Sequence, residues 1–195
     1  MKTTHLLYLH GFRSSPQSTK ARMVQQRVAQ QHPRVTLWCP QLAPSPRQAM
    51  AEVMQGIAGW PRERMAVMGS SLGGYYATWI AEQTGCRAVL LNPAVHAARD
   101  LAGQVGTHPS WHEPQQTFEF KATYVDELRA LAVPAITRPE RYYALIAQGD
   151  EVLDWREMSA HYPGTHGRVL AGSDHAITEF ALYLDEVLGF LDLAP

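Results

Sequence analysis

The stretch MAVMGSSLGG, residues 65–74, joins a short apolar run to a serine flanked by glycines. The apolar run predicts a buried strand, and the residues that follow predict a helix. A serine on a sharp strand-to-helix turn needs small residues two positions before and after it, because the backbone there is crowded. Gly69 and Gly73 flank Ser71 in this way, whereas Ser70 has bulky residues at both positions. We therefore expect Ser71 to be a catalytic nucleophile; the alternative is a Gly/Ser turn that only caps a helix.

A serine hydroxyl is a weak nucleophile at neutral pH, so it needs a general base. His175 lies in the segment LAGSDH, residues 170–175, between the last predicted strand and the last predicted helix. A side chain in such a loop can reach a site above the end of a sheet. We expect His175 to be the base; the alternative is a surface histidine that caps the helix.

The histidine in turn needs a carboxylate that fixes its tautomer. The segment GDEVLD, residues 149–154, follows a predicted strand and contains three acids. Asp150 lies directly after the strand and is the preferred candidate, whereas Asp154 is placed to cap the next helix. Glu151 is the least favoured of the three candidates for the acid that binds the histidine. The resulting chain order of serine, aspartate and histidine is the order found in α/β hydrolases.

Acyl transfer through a serine also requires donors for the developing oxyanion, usually one N–H after the nucleophile and one from an early loop. Leu72 supplies the first N–H. The loop HGFRSS, residues 10–15, follows the first predicted strand, and Gly11 lets its backbone approach closely. We expect the N–H of Phe12 to be the second donor and His10 to brace the loop rather than act as a base.

Short apolar runs alternate with longer amphipathic stretches, a pattern typical of a parallel sheet with helices on both faces. We expect a compact α/β-hydrolase fold with about six strands, in one domain over residues 1–195. The predicted strands are Leu6–Leu9, Val35–Trp38, Met65–Met68, Ala88–Leu91, Tyr142–Ala147 and Arg168–Leu170. The predicted helices are 18–31, with Ser18 as N-cap, 45–59, with Ser45 as N-cap, Leu72–Thr84, Asp154–His161 and Ile177–Leu191.

The segment 93–124 has no sustained periodicity and is too long for an ordinary connection. Long insertions of this kind are often lids or binding loops, so we expect a short lid here. Its aromatic side chains could line an acyl pocket, and its length favours short acyl groups; the alternative is a loop packed on its own cluster. The candidate substrate-binding residues in this segment are Trp111, Phe118, Phe120 and Tyr124. Arg13 could bind an anionic part of the substrate; the alternative is a loop arginine that is only solvated.

Composition limits the classes of partner. The chain has 195 residues, 46% of them hydrophobic, and 17 basic against 18 acidic side chains give a net charge of -1. Such a balance does not attract nucleic acid. Cys39 and Cys86 lack metal-site spacing and predict buried thiols. We find no signal peptide and no apolar run long enough to span a membrane, and expect a cytoplasmic location.

The segments YLHGFRSSPQSTKA, MGSSLGGYYATWIAE, GDEVLD and GSDHAITEF together resemble the α/β-hydrolase superfamily. The closer resemblance, over essentially the whole chain, is to the small bacterial YqiA-like esterases, which include the YcfP-like proteins. It implies hydrolysis of carboxylic esters, including acyl-CoA thioesters, with Ser71, Asp150 and His175 as the triad. Compared with larger superfamily members, the chain lacks the leading strands.

Three other functions compete with this one. An acyl-CoA thioesterase would use the same triad, and a non-catalytic binding protein on a hydrolase fold would usually lack a triad member. Metal-dependent hydrolysis would use His108 and His112 with Glu113, but Pro109 and Pro114 prevent a helical presentation of the two histidines. We therefore expect a serine esterase that acts on a small acyl ester or thioester without a metal or other cofactor.

Overall fold

The computed structural model describes residues 1–109, 115 and 117–195. Its main element is a six-stranded sheet in the order β2-β1-β3-β4-β7-β8, in which every neighbouring pair is parallel. All six predicted strands are present, with ends shifted by two residues at most. Their bounds are β1 His5–Leu9, β2 Thr36–Trp38, β3 Met65–Ser70, β4 Arg87–Leu91, β7 Tyr142–Ala147 and β8 His166–Leu170.

Helices cover both faces of this sheet, as the fold class requires. Alternate residues of β1 point to opposite faces, so that Leu7 and Leu9 belong to one buried cluster while Leu6 and Tyr8 belong to the other. The first cluster includes side chains of α2 Pro46–Gly56, α3 Leu72–Thr84, α5 Ala122–Ala130 and α6 Trp155–His161. The second includes side chains of α1 Thr19–Gln31 and α7 Leu184–Phe190.

The capping predictions had different outcomes. The Ser45 hydroxyl accepts a hydrogen bond from the N–H of Gln48 and caps α2, with Pro46 in the first helical position. Ser18 occupies the N-cap position of α1 as predicted, but its side chain makes no capping hydrogen bond there. Its N–H donates instead to the carbonyl of Ser15, within a turn that leads into the helix.

The last predicted helix begins later than expected. Ile177 has a φ of 49°, in the left-handed region, and so cannot start an α-helix. A 3₁₀ turn, Phe180–Leu182, follows it, and regular α-helix is limited to α7. The apolar stripe predicted for this region is nevertheless buried: Phe180, Leu184 and Leu188 all lie in the second cluster.

The segment 93–124 contains more regular structure than its sequence suggested. It holds a short helix, α4 Ala97–Asp100, and an antiparallel hairpin of β5 Gly106–Pro109 and β6 Thr117–Phe120. The first residues of α5 also fall within it. The hairpin residues pair from Gly106 with Phe120 to Pro109 with Thr117.

The first and last residues of the chain lie side by side and are connected by backbone hydrogen bonds. Thr3 forms a parallel bridge with Leu193, its N–H donates to the carbonyl of Asp192, and its carbonyl accepts from the N–H of Ala194. Among the described residues, every helix is too short or too polar to span a lipid bilayer. Both cysteines are free thiols; Cys86 is buried and Cys39 half-buried, and burial raises the pKa of each.

Candidate active site

The nucleophile candidate Ser71 lies between β3 and α3 in a backbone conformation that few residues other than glycine adopt. Its φ is 56° and its ψ is −121°. The turn leaves no space for side chains on the flanking glycines: a Cβ on Gly69 would lie 2.0 Å from the carbonyl oxygen of Gly73, and one on Gly73 would lie 2.0 Å from that of Leu9. The GxSxG pattern therefore follows from the close approach of α3 to the ends of β3 and β1.

Ser71, His175 and Asp150 lie together at the carboxyl edge of the sheet. The Nε2 atom of His175 is 3.1 Å from Oγ of Ser71, and its Nδ1 atom is 2.8 Å from Oδ2 of Asp150. A carboxylate can only accept, so Nδ1 carries the proton and Nε2 is left to accept from the serine hydroxyl. The Asp150 side chain is fully buried, whereas the His175 side chain is 22% exposed. The three side chains thus form one continuous hydrogen-bond chain.

The other acids of the segment 149–154 occupy different positions. Asp150 Oδ1 accepts two backbone hydrogen bonds of 2.8 Å, from Val152 and Leu153, which fix its carboxylate. Asp154 caps α6 by accepting from the N–H of Arg156 at 2.8 Å. Glu151 accepts a 3.0 Å hydrogen bond from the backbone N–H of His175. Asp150 is therefore the acid bonded to the imidazole, and Glu151 holds the backbone of the same histidine.

The loop after β1 lies directly beside Ser71. A Cβ on Gly11 would lie 3.7 Å from Oγ of Ser71. His10 is buried, with Nε2 accepting from the N–H of Leu42 at 3.1 Å and Nδ1 3.0 Å from the carbonyl oxygen of Gly11. Because Nε2 accepts, the proton resides on Nδ1 and is donated to Gly11. His10 thus connects this loop to the segment after β2.

Two backbone N–H groups are the oxyanion-hole candidates. Leu72 is the first residue of α3, so its N–H is in the first helical turn, where such groups have no intrahelical acceptor. Phe12 follows Gly11 in the loop beside Ser71. Arg13, the next residue, is exposed and has a φ of 53°.

Asn92 is a site residue that the sequence analysis missed. It is fully buried directly after β4. Its Nδ2 donates to the carbonyl oxygens of Asp174 and His175, at 3.0 and 3.1 Å, and its Oδ1 accepts from the N–H of Ala147 at 2.7 Å. Asn92 is the only asparagine in the chain and directly follows an apolar run, which is the signal that could have identified it.

A cavity of about 240 Å³ lies on the Leu72 side of the site. The hairpin contributes Phe118 and Phe120 to its wall, and Phe12 packs edge-on against both rings, with centroid distances of 6.0 and 5.3 Å. The ring centroid of Tyr124 lies 5.6 Å from that of Phe120. The remaining apolar lining comes from Leu42, Ala43, Pro44, Leu72 and Tyr76. Trp111, the other predicted aromatic residue of the pocket, lies outside the described residues.

The metal-site candidates are only partly described. His108 lies in β5, with its Nε2 atom 2.6 Å from the carbonyl oxygen of Gln104 and its ring against Phe12. His112 and Glu113 lie outside the described residues. Within residues 1–109, 115 and 117–195, no group of three or more His, Cys, Asp or Glu side chains could hold a metal ion.

A family comparison assigns the chain. Residues 5–192 match the model of the family described as "Uncharacterised protein family (UPF0227)". The chain belongs to the UPF0227 family. Since the match covers all six strands of the main sheet, the UPF0227 assignment confirms the expected YqiA-like relationship.

Solved structures resemble the UPF0227 chain in fold. The alpha/beta hydrolase domain-containing protein 10 from mouse is 14% identical, with a TM-score of 0.70 over 97% of this chain and 91% of the mouse protein. The esterase domain of a Rhodothermus marinus protein is 16% identical, with a TM-score of 0.64 over 96% and 85% of the two chains. An S-formylglutathione hydrolase from Agrobacterium tumefaciens is 14% identical, with a TM-score of 0.64 over 98% and 84%. The UPF0227 chain therefore has the α/β-hydrolase fold.

Proposed function

We propose that this chain is a serine-dependent hydrolase of carboxylic esters with short acyl groups. The observation that carries the proposal is the hydrogen-bond chain from Ser71 Oγ through His175 to Asp150, at 3.1 and 2.8 Å. This arrangement joins a nucleophile, a base and an orienting acid, which is the combination that acyl transfer requires.

In the proposed first step, Ser71 Oγ attacks the ester carbonyl carbon while its proton passes to Nε2 of His175. The electron pair of the carbonyl bond moves to oxygen, and the N–H groups of Leu72 and Phe12 stabilise the resulting anion. The bond to the leaving oxygen then breaks, and His175 donates the proton to that oxygen. Asp150 stays ionised and holds the imidazolium in place.

In the proposed second step, water replaces the leaving group. His175 takes a proton from water, the hydroxide oxygen attacks the acyl-enzyme, and the Ser71 oxygen leaves with the proton from His175. The reaction releases one carboxylic acid and one alcohol. All proton transfers pass through the same Nε2 atom, so one imidazole suffices for both halves of the reaction.

The cavity beside Leu72 is the proposed acyl pocket, and the hairpin within 93–124 is its proposed lid. The volume of the cavity, about 240 Å³, is smaller than the roughly 300–1,000 Å³ of pockets that hold drug-sized ligands. Burial raises the pKa of Tyr76, so its phenol presents a neutral surface. These features favour a short aliphatic acyl group. The words esterase and hydrolase in the descriptions of the similar structures agree with this proposal.

Labelling with a fluorophosphonate probe tests the proposed nucleophile. We expect one adduct, mapped by mass spectrometry to Ser71, because the probe phosphonylates an activated serine. The Ser71→Ala variant should remain unlabelled, and Ser70→Ala is the matched control that should keep the label. An adduct on Ser70, or labelling that survives Ser71→Ala, would contradict the proposal.

A further inference from the structure

A second cavity, of about 500 Å³, lies on the His175 side of Ser71. The general base donates its proton to the departing group, so the leaving group must lie on the side of the serine that the imidazole occupies. Under the proposed function, this cavity therefore receives the leaving group, while the cavity beside Leu72 receives the acyl group. Its apolar lining comes from Tyr8, Phe12, Met23, Ile177 and Phe180.

The charged side chains that line this second cavity are basic. Arg13 and Lys20 line it, and among the described lining residues there is no Asp or Glu. The nearby acids have other partners: Asp174 accepts from the N–H and the hydroxyl of Thr178, at 2.9 and 2.6 Å, and Asp150 accepts from His175 and two backbone N–H groups. The charged side chains in the wall of this cavity are thus cations, while Asp150 and Asp174 lie outside the lining but close enough to act on the charge of Lys20.

Lys20 lines the same cavity as Ser71 and His175 but has no role in the proposed mechanism. Its Nζ donates a 2.5 Å hydrogen bond to the carbonyl oxygen of Ala176, the residue after His175. Within the described part of the chain, it makes no ion pair within 4 Å, and an ammonium has three donors. Donors therefore remain for a ligand.

We propose that the preferred leaving group carries an anionic substituent, a carboxylate or a phosphate, which Lys20 and Arg13 bind in the second cavity. Lys20 and the imidazole of His175 line the same cavity, so a substituent on the departing alcohol shares that cavity with the lysine. The half-buried position of Lys20 strengthens the interaction relative to an exposed lysine. The alternative is a lysine that only ties α1 to the loop of His175. That role would affect charged and neutral substrates alike, so the two can be separated.

Three butyrate esters of para-substituted phenols test this inference, and each kcat/KM is compared after division by the rate constant for alkaline hydrolysis of the same ester, because the substituents change the acidity of the phenol. They are 4-(butyryloxy)benzoate, its neutral methyl ester, and 4-(butyryloxy)phenyl phosphate. We expect kcat/KM of the wild type to be about tenfold higher for one or both anionic esters than for the neutral one. Because the carboxylate ester and the phosphate ester are assayed separately, the comparison of their kcat/KM values shows which anion the cavity prefers.

Substitutions of Lys20 assign the preference. Lys20→Met, which keeps the length of the side chain, should lower the ratio of anionic to neutral kcat/KM severalfold, whatever its effect on the neutral ester alone. Lys20→Arg should retain part of the preference. Lys121→Met is the matched control, because Lys121 is exposed and does not line either cavity.

The preference should also depend on pH. Burial lowers the pKa of Lys20 to about 8, although Asp174 and Asp150 oppose that shift. Lys20 is therefore charged below about pH 8 and neutral above it, and the ratio of anionic to neutral kcat/KM should fall as the pH rises through that value. The other titratable or charged side chains that face the cavity are Tyr8, His10, Arg13 and His175. His175 acts on both substrates, so its effect cancels in the ratio.

Two results would overturn the inference while leaving the proposed function intact: equal kcat/KM for all three esters in the wild type, or a Lys20→Met variant that slows the charged and neutral esters equally. Hydrolysis of none of the esters, together with no fluorophosphonate adduct, would instead overturn the proposed function and this inference with it.

Discussion

The side-chain amide of Asn92 donates a 3.1 Å hydrogen bond to the backbone carbonyl of His175. The same amide binds the carbonyl of Asp174 and, through its oxygen, the N–H of Ala147 at the end of β7. One buried side chain at the end of β4 therefore holds both the histidine loop and the strand end that leads to Asp150. It is a positioning residue, since it acts through the backbone of the candidate base.

Asn92→Asp should reduce kcat by about 10- to 100-fold with little change in KM, because misplacing a catalytic group by about 1 Å costs this much. Aspartate tolerates the residue's φ of 42° and keeps an acceptor for Ala147, but it loses both donors. Because Asn92 is the only asparagine, selective ¹⁵N labelling gives one side-chain amide signal, whose protected exchange in the wild type is a direct readout of these bonds. Unchanged kcat in a folded variant would contradict the positioning role.

Asp150→Asn should lower kcat by about 10⁴-fold, since an amide cannot hold the imidazole in the required tautomer. Asp154→Asn is the matched control: asparagine caps helices as well as aspartate does, so we expect near-wild-type kcat and stability. Both variants should be assayed with the neutral ester after circular dichroism has verified their folding. Equal losses in the two variants would mean that Asp154 has a role beyond capping α6.

Gly73→Ala and Gly189→Ala should have opposite effects on stability, although both glycines are in helices. A Cβ on Gly73 would lie 2.0 Å from the carbonyl oxygen of Leu9, whereas nothing lies within 4 Å of a Cβ on Gly189. We expect Gly73→Ala to lower the free energy of unfolding by about 2 kcal/mol or more. Gly189→Ala should raise it by about 0.5–1 kcal/mol through helix propensity. Urea unfolding measures both, and a Gly73→Ala protein as stable as wild type would refute the steric argument.

Phe118→Ala should shift the acyl-chain preference toward longer chains, because Phe118 forms part of the wall of the cavity beside Leu72. The measurement is kcat/KM over p-nitrophenyl esters from acetate to decanoate. Wild type should favour the short esters, and the variant should gain most on the intermediate lengths. Phe190→Ala is the control, because Phe190 packs on Tyr143 and His166 and lines neither cavity. An identical length profile in wild type and Phe118→Ala would argue against the hairpin as a lid.

The sequence predicted the main sheet well because its four central strands, β1, β3, β4 and β7, are buried and read as short apolar runs. It did not predict the hairpin, since β5 has the sequence GTHP and none of its residues is buried. It also missed α5, which buries only Val125 and Leu128 and begins after Lys121 without a side-chain cap. In both cases the signal was weak because the element packs through very few side chains.

The residues of the candidate site also divide into those that the sequence predicted and those that it missed. Ser71, Asp150 and His175 could be proposed because each follows a recognisable strand and the order of the three is restrictive. Asn92 could not be assigned a role, because its partners lie in two distant segments that only the folded sheet brings together. The same is true of Lys20, whose helical position gives no hint of its contact with Ala176.

The bridge between Thr3 and Leu193 means that the order of the segments along the chain can be changed without separating their neighbours in space. A linker of a few residues can join the two ends, and new ends can be opened at Gly59, where no atom lies within 4 Å of a Cβ position. In such a circular permutant, the strand that leads to Ser71 comes first and the loop of Phe12 comes after His175. In this permutant the site assembles through the pairing of neighbouring strands in the sheet, whatever the order in which those strands are synthesised.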